Sequence, residues 1–241
     1  MQAFANQGPL EWSRLGPVTT LLVYKVFYGA LAFMVLAYLI KIRQLLKQPP
    51  VVESTPPRGD EVRGIRYAYL TLAIPWELES QRQDWSSYVE FACLHIVIAF
   101  NLGMAFTLPI AHEALRKPWV VSALQWTFTA GAGIGIIRLA NRLTRREMRA
   151  ISSPDDYFCL ATLTLWMFAG ISAISQDSEV GLLVFYLLAT LIMIYMPFSK
   201  ISHFAYWPFI RYYMGKHFGH RGVYPRKVLP KAGRSPNGER Q

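Results

Sequence analysis

Cysteine is nearly absent: the 241 residues hold two, Cys93 and Cys159, both in apolar runs. Two thiols cannot build a disulfide framework or ligate an iron–sulfur cluster. No Cys-x-x-Cys-His is present, which excludes covalent c-type haem attachment. Acidic residues are also few, 15 against 25 Lys and Arg, leaving a net charge of +10. No Ser–His–Asp arrangement, phosphate-binding loop or paired-carboxylate constellation is visible, so hydrolase and nucleotide-dependent activities have no support. Met1 to Gly16 is polar and lacks a basic stretch ahead of the first apolar run, so no cleaved signal peptide is expected.

What the chain has in abundance is apolar length. Hydrophobic residues make up 53% and charged residues only 17%. Crossing a bilayer as a helix takes roughly 20 consecutive apolar residues. Five runs meet that length, at about 17–40, 86–109, 119–139, 157–175 and 180–204. The expected fold is an all-α integral membrane protein, a five-helix bundle within residues 1–209. A polar loop at 41–85 and a basic tail at 210–241 complete it. Pro49, Pro50, Pro56 and Pro57 break helices in that loop. Its Tyr67–Trp76 run is too short to span and suits the interface or a docked partner. Pro197 should kink the fifth helix, and Phe218 to Gln241, rich in Gly, Pro, Lys and Arg, reads as disordered.

The charges fix an expected topology. Of the 25 Lys and Arg, 21 fall in the segments that share a side with the C-terminus, and only Arg14, Arg116 and Lys117 on the other. Cytoplasmic loops carry this excess, so the N-terminus is expected outside and the C-terminus in the cytoplasm. The same asymmetry accounts for the net charge without nucleic acid.

Histidines are the chemistry-bearing residues. His95 lies inside the second span, and His203 lies at the end of the fifth. Ionisable groups in a span are costly and usually functional. At about 1.5 Å per residue His95 sits roughly 14 Å in from the cytoplasmic face, the same half of the membrane as His203. Ala92, Ala99 and Gly103 share a helical face with His95 and leave room for a flat macrocycle or for a close helix. Two readings stand side by side: axial ligation of one b haem, or two unrelated imidazoles bonded to backbone carbonyls. The run Ala130-Gly131-Ala132-Gly133-Ile134-Gly135 follows no strand, so it is no dinucleotide fingerprint; it admits a close neighbour helix or cofactor. Arg138, Arg142 and Arg211 are candidates for haem propionates, or simply positive-inside charges. Lys25 is a snorkelling lysine or a contact to a quinone carbonyl. His112 and Glu113, at the far interface, are polar boundary residues or a quinone proton pair. His217 and His220 are spaced like metal ligands, but no Cys or Asp accompanies them.

Pro197-Phe198-Ser199-Lys200-Ile201-Ser202-His203, followed by Pro208 and Arg211-Tyr212-Tyr213, resembles the end of the last helix in the respiratory nitrate reductase gamma subunit family. Leu94-His95-Ile96, leading to Gly103-Met104 and Thr107-Leu108-Pro109, is similar to that family's second helix. The resemblance implies five spans and a membrane cytochrome b. The family's inner haem takes an early histidine of helix two and a late one of helix five, here His95 and His203. Its outer haem takes two more histidines, where this chain has Ala105 (Phe100 if the glycines are aligned) and Phe185. One b haem is therefore implied, and the outer site is expected to be lost. Implied partners are quinone, membrane lipid and a cytoplasmic iron–sulfur, flavin or molybdenum oxidoreductase subunit. Related anchors serve sulfur-metabolism enzymes such as adenylylsulfate reductase, and the missing histidines favour that divergent type. A haem-free anchor is the alternative.

Overall fold

The structure, a computed structural model, describes residues 12, 15–49, 54–71 and 84–225. Within them the chain is all helical, with five helices long and apolar enough to cross a membrane. It is a multi-pass membrane protein. The helices are α1 (Pro17–Leu46, with a π-helical turn at Leu22–Val26), α2 (Glu61–Leu70), α3 (Trp85–Leu115) and α4 (Pro118–Thr144). They continue with α5 (Arg146–Ile151), α6 (Pro154–Ser175), α7 (Glu179–Tyr195) and α8 (His203–His220). Pro17, Pro118 and Pro154 open α1, α4 and α6, where a missing N–H costs nothing. Ser153 and Asp156 close a capping box on α6.

The chain forms two compact units. The first comprises α1 and residues 85–203, all five apolar helices. Neighbours pack in the order α3–α4–α6–α7–α1, and α1 meets α3 through Phe27 and Phe106, ring centres 5.5 Å apart. The glycines of α4 serve helix packing. A Cβ at Gly131 would fall 2.5 Å from Val97 of α3, and one at Gly135 2.3 Å from Thr164 of α6. Phe27, Phe128, Phe185 and Tyr186 are fully buried at the centre.

Two proline effects reshape the expected spans. Pro109 removes the amide that would bond Ala105, and Ala111 leaves helical geometry, yet α3 continues to Leu115. The orphaned Ala105 carbonyl accepts the Tyr186 hydroxyl at 2.9 Å. Tyr186→Phe would leave that buried acceptor unpaired, at about 1–3 kcal/mol. We expect a lowered unfolding temperature; an unchanged one would show that another donor takes the carbonyl. Pro197 does more than kink its helix, which corrects the expected span at 180–204. The α-helix stops at Tyr195, Met196–Phe198 and Lys200–Ser202 are 3₁₀ turns, and Ser199 is extended. The serines complete the break: Ser199 and Ser202 hydroxyls both donate to Met196 O, at 3.1 and 2.7 Å. Lys41 donates its ammonium to Pro197 O.

The second unit holds α2 and the chain after His203. The expected prolines do not keep 41–85 free of helix: Asp60 caps α2 by accepting from Val62 N and Arg63 N at 2.8 and 3.2 Å. The α2–α8 seam is built on glycine. A Cβ at Gly64 would fall 2.4 Å from Gly215 O. His220 of α8 bonds Thr55 O at 2.8 Å through Nε2 and Glu61 at 3.1 Å through Nδ1. Residues 218–225, expected to be disordered, are ordered here: Tyr224 meets Tyr67 and Phe218 edge-on at 5.2 and 5.0 Å. Residues 72–76 of the apolar loop run and residues 226–241 of the tail lie outside the described residues.

Candidate functional site

His95 and His203 come together in the first unit. Their ring centres lie 6.0 Å apart with the planes crossed at 74°. Each imidazole is held from one side by main chain. His95 Nδ1 bonds Phe91 O at 2.7 Å, one helical turn back on α3. His203 Nδ1 bonds Lys200 O at 2.9 Å. A carbonyl only accepts, so each Nδ1 carries a proton, and in the neutral ring Nε2 keeps a lone pair. That is the tautomer a metal-ligating histidine needs, with its other nitrogen donating to a carbonyl. Among the described residues no protein group bonds either Nε2.

The spacing fits a shared metal. A metal–imidazole bond is about 2 Å; adding the reach to the ring centre on both sides gives centres about 6 Å apart. Among the described residues no group of three or more His, Cys, Asp and Glu is placed to hold a bare ion. Two histidines suit a metal that brings its own in-plane ligands, as haem iron does.

The surroundings suit a flat group. Both imidazoles are exposed, although His95 lies in a helix apolar enough to span. Ala99 and Gly103, beyond His95 on α3, are exposed, and a Cβ at Gly103 would meet nothing within 4 Å. Ala92 is half-buried. Phe91 lies 4.1 Å from the His95 ring, centre to centre.

Other candidates are placed elsewhere or already engaged. Arg138 donates to Ser87 O at 3.2 Å and pairs with Glu90 at 3.4 Å, on the first turns of the helix that carries His95. Arg142 is turned to Ser152 Oγ at 2.6 Å and to Asp156 at 4.0 Å. Arg211 belongs to the second unit, where it lies over the Trp207 ring at 5.8 Å. Lys25 is exposed on the π-helical turn of α1. His112 stacks on Trp12 at 5.0 Å, and its carbonyl accepts from Gln176 at 3.1 Å. Glu113 beside it is exposed. These two stand 17 residues and more along α3 from His95, about 25 Å for a straight helix, and are not part of the same site. Ala105 and Phe185 are fully buried; Phe185 stacks on Trp166 at 5.6 Å, so packed side chains fill that part of the core.

Sequence reasoning missed Asp155 and Asp156. Asp155 accepts the Lys200 N–H at 2.8 Å and the Tyr195 hydroxyl, and Asp156 accepts the Lys200 ammonium at 2.5 Å. Ser153-Pro154-Asp155-Asp156 was readable as a helix start; a partner 45 residues away was not.

No family model matches the chain, and no solved structure matches it. A protein of Nitratidesulfovibrio vulgaris (Hildenborough), named only "Protein", is 28% identical over 209 residues, 84% of this chain and 87% of its own length. The likeness extends over most of both chains and its name states no activity.

Proposed function

We propose that this protein is the membrane cytochrome b subunit of an oxidoreductase complex, with His95 and His203 as the axial ligands of a single b haem. The observation that carries the reading is the imidazole pair, ring centres 6.0 Å apart with planes crossed at 74°, each with Nδ1 tied to a carbonyl. Bound there, haem b supplies one-electron exchange at an iron whose axial positions are both filled. The chain's own part is to hold two neutral imidazoles at one depth, to leave Ala99 and Gly103 small beside them, and to present an apolar wall from Phe91.

The resemblance to the nitrate reductase gamma subunit family adds the quinone pool as one electron partner. A cytoplasmic iron–sulfur, flavin or molybdenum subunit is the other. The buried Ala105 and Phe185 support one haem over two. The charge asymmetry supports an N-terminus outside and a C-terminus in the cytoplasm, and in our reading the membrane is a bacterial inner membrane with the histidine pair on the partner's side. Arg138, already near the start of α3, remains the best placed of the arginines for a propionate. Extraction of haem from the purified full chain tests the stoichiometry: a ratio near one haem per chain is expected, and a ratio near two would overturn the single site.

A further inference from the structure

We propose that Asp155 is a positioning residue for His203, acting through the Lys200 main chain; this rests on the haem reading above. The two histidines are oriented by different means. His95 takes its carbonyl from Phe91 within a continuous helix, so helix geometry alone sets its ring. His203 has no such support. Pro197 has ended α7, Ser199 is extended, and His203 takes its carbonyl from Lys200 in a short 3₁₀ turn. Where Lys200 sits therefore decides where His203 points.

Lys200 is held from the start of α6. Its N–H donates to Asp155 Oδ2 at 2.8 Å while its own carbonyl accepts from His203 at 2.9 Å. The other Asp155 oxygen accepts the Tyr195 hydroxyl and the Cys159 thiol, the latter at 3.3 Å. Asp156 takes the Lys200 ammonium at 2.5 Å, and its remaining bonds come from the Ser153 cap at 2.8 and 2.9 Å. The carboxylate of Asp155 thus ties three elements, the end of α7, the 3₁₀ turn and α6, at the point where the helical ladder is interrupted. Groups that orient metal-bound histidines from the second layer typically affect affinity by about 10–100-fold.

The test uses the purified full chain carrying its haem, read by low-temperature paramagnetic resonance and by haem retention against apomyoglobin. Asp155→Ala is expected to lose the wild-type low-spin signal in part to a high-spin or shifted one, with haem released about 10-fold faster. Asp155→Asn keeps an oxygen for the Lys200 N–H and is expected to restore the wild-type signal. Tyr195→Phe leaves the backbone intact and should shift the signal in the same direction by less. Glu179→Ala serves as control, since Glu179 binds Gly16 N and Thr19 at the other end of the unit, at 2.7 and 2.5 Å, and should leave the signal unchanged. A wild-type signal in both Asp155→Ala and Tyr195→Phe, with only thermal stability lowered, would reduce Asp155 to a structural role. Failure of Asp155→Asn to restore the signal would assign the effect to charge and overturn the positioning claim. If Asp155→Ala does not fold, Tyr195→Phe alone decides: a wild-type signal there overturns it. A wild-type protein without haem overturns this inference and the haem reading together, whereas an unaffected Asp155→Ala in a haem-loaded background overturns only this one.

Discussion

On the proposed ligation, His203→Ala is expected to leave the protein without haem, and so is His95→Ala. In each variant one imidazole remains, held by its carbonyl at 2.7 or 2.9 Å, with nothing across the 6.0 Å gap. Two of the other histidines are already engaged. His112 is stacked on Trp12 at 5.0 Å, and both nitrogens of His220 are taken by Thr55 and Glu61. The b-type absorbance per mole of protein should fall to background in both variants, while the five apolar helices persist in circular dichroism. Normal haem content in either variant would mean that the ligands have been misassigned.

The second large effect lies in the other unit. Gly64→Val would drive a side chain into backbone: the first added carbon falls 2.4 Å from Gly215 O and 2.4 Å from Gly219 Cα. Main-chain atoms cannot swing aside as a flexible side chain does, so α2 and α8 must separate. That releases the Tyr67–Tyr224 contact and the Tyr69 hydroxyl bond to Pro208 O at 2.6 Å. Arg63 and Arg66 of α2 are already exposed, and local opening unwinds the backbone around them for trypsin, with cleavage at least about 10-fold faster. Gly29→Val, where an added Cβ meets nothing within 4 Å, is the matched control. Equal cleavage in Gly64→Val and wild type would show that the seam can relax around the larger residue.

The five spans were legible because apolar length is a property of the sequence alone, and Trp85–Leu115 and Pro118–Thr144 only extend what was read at 86–109 and 119–139. From residue spacing His95 and His203 are expected in the same half of the membrane, and their ring centres lie 6.0 Å apart. The consequences of proline were harder. The sequence puts the end of a span at Pro109 and a kink at Pro197, yet the helix continues past the first and stops at the second. At Pro109 the freed Ala105 carbonyl is taken by the Tyr186 hydroxyl of another helix, whereas after Pro197 the Ser199 and Ser202 hydroxyls turn the chain back on Met196 O. The Tyr186 partner does not follow from local sequence. Asp155 was hidden for the same reason: its bond to Lys200 is tertiary, and a carboxylate in the first turn of a helix already has a sufficient local explanation. Gly215 and Gly219 of α8 stand four residues apart, a spacing that suits close helix packing, but that their partner is the single Gly64 of α2 is fixed only by the helix opposite.

The most direct measurement is a reduced-minus-oxidised visible spectrum of the purified full-length protein. A b-type α-band whose oxidised form is low-spin, as two imidazole ligands require, is the result the histidine pair predicts. A spectrum without any haem band in protein expressed with ample haem would contradict it, and would leave a haem-free anchor in its place.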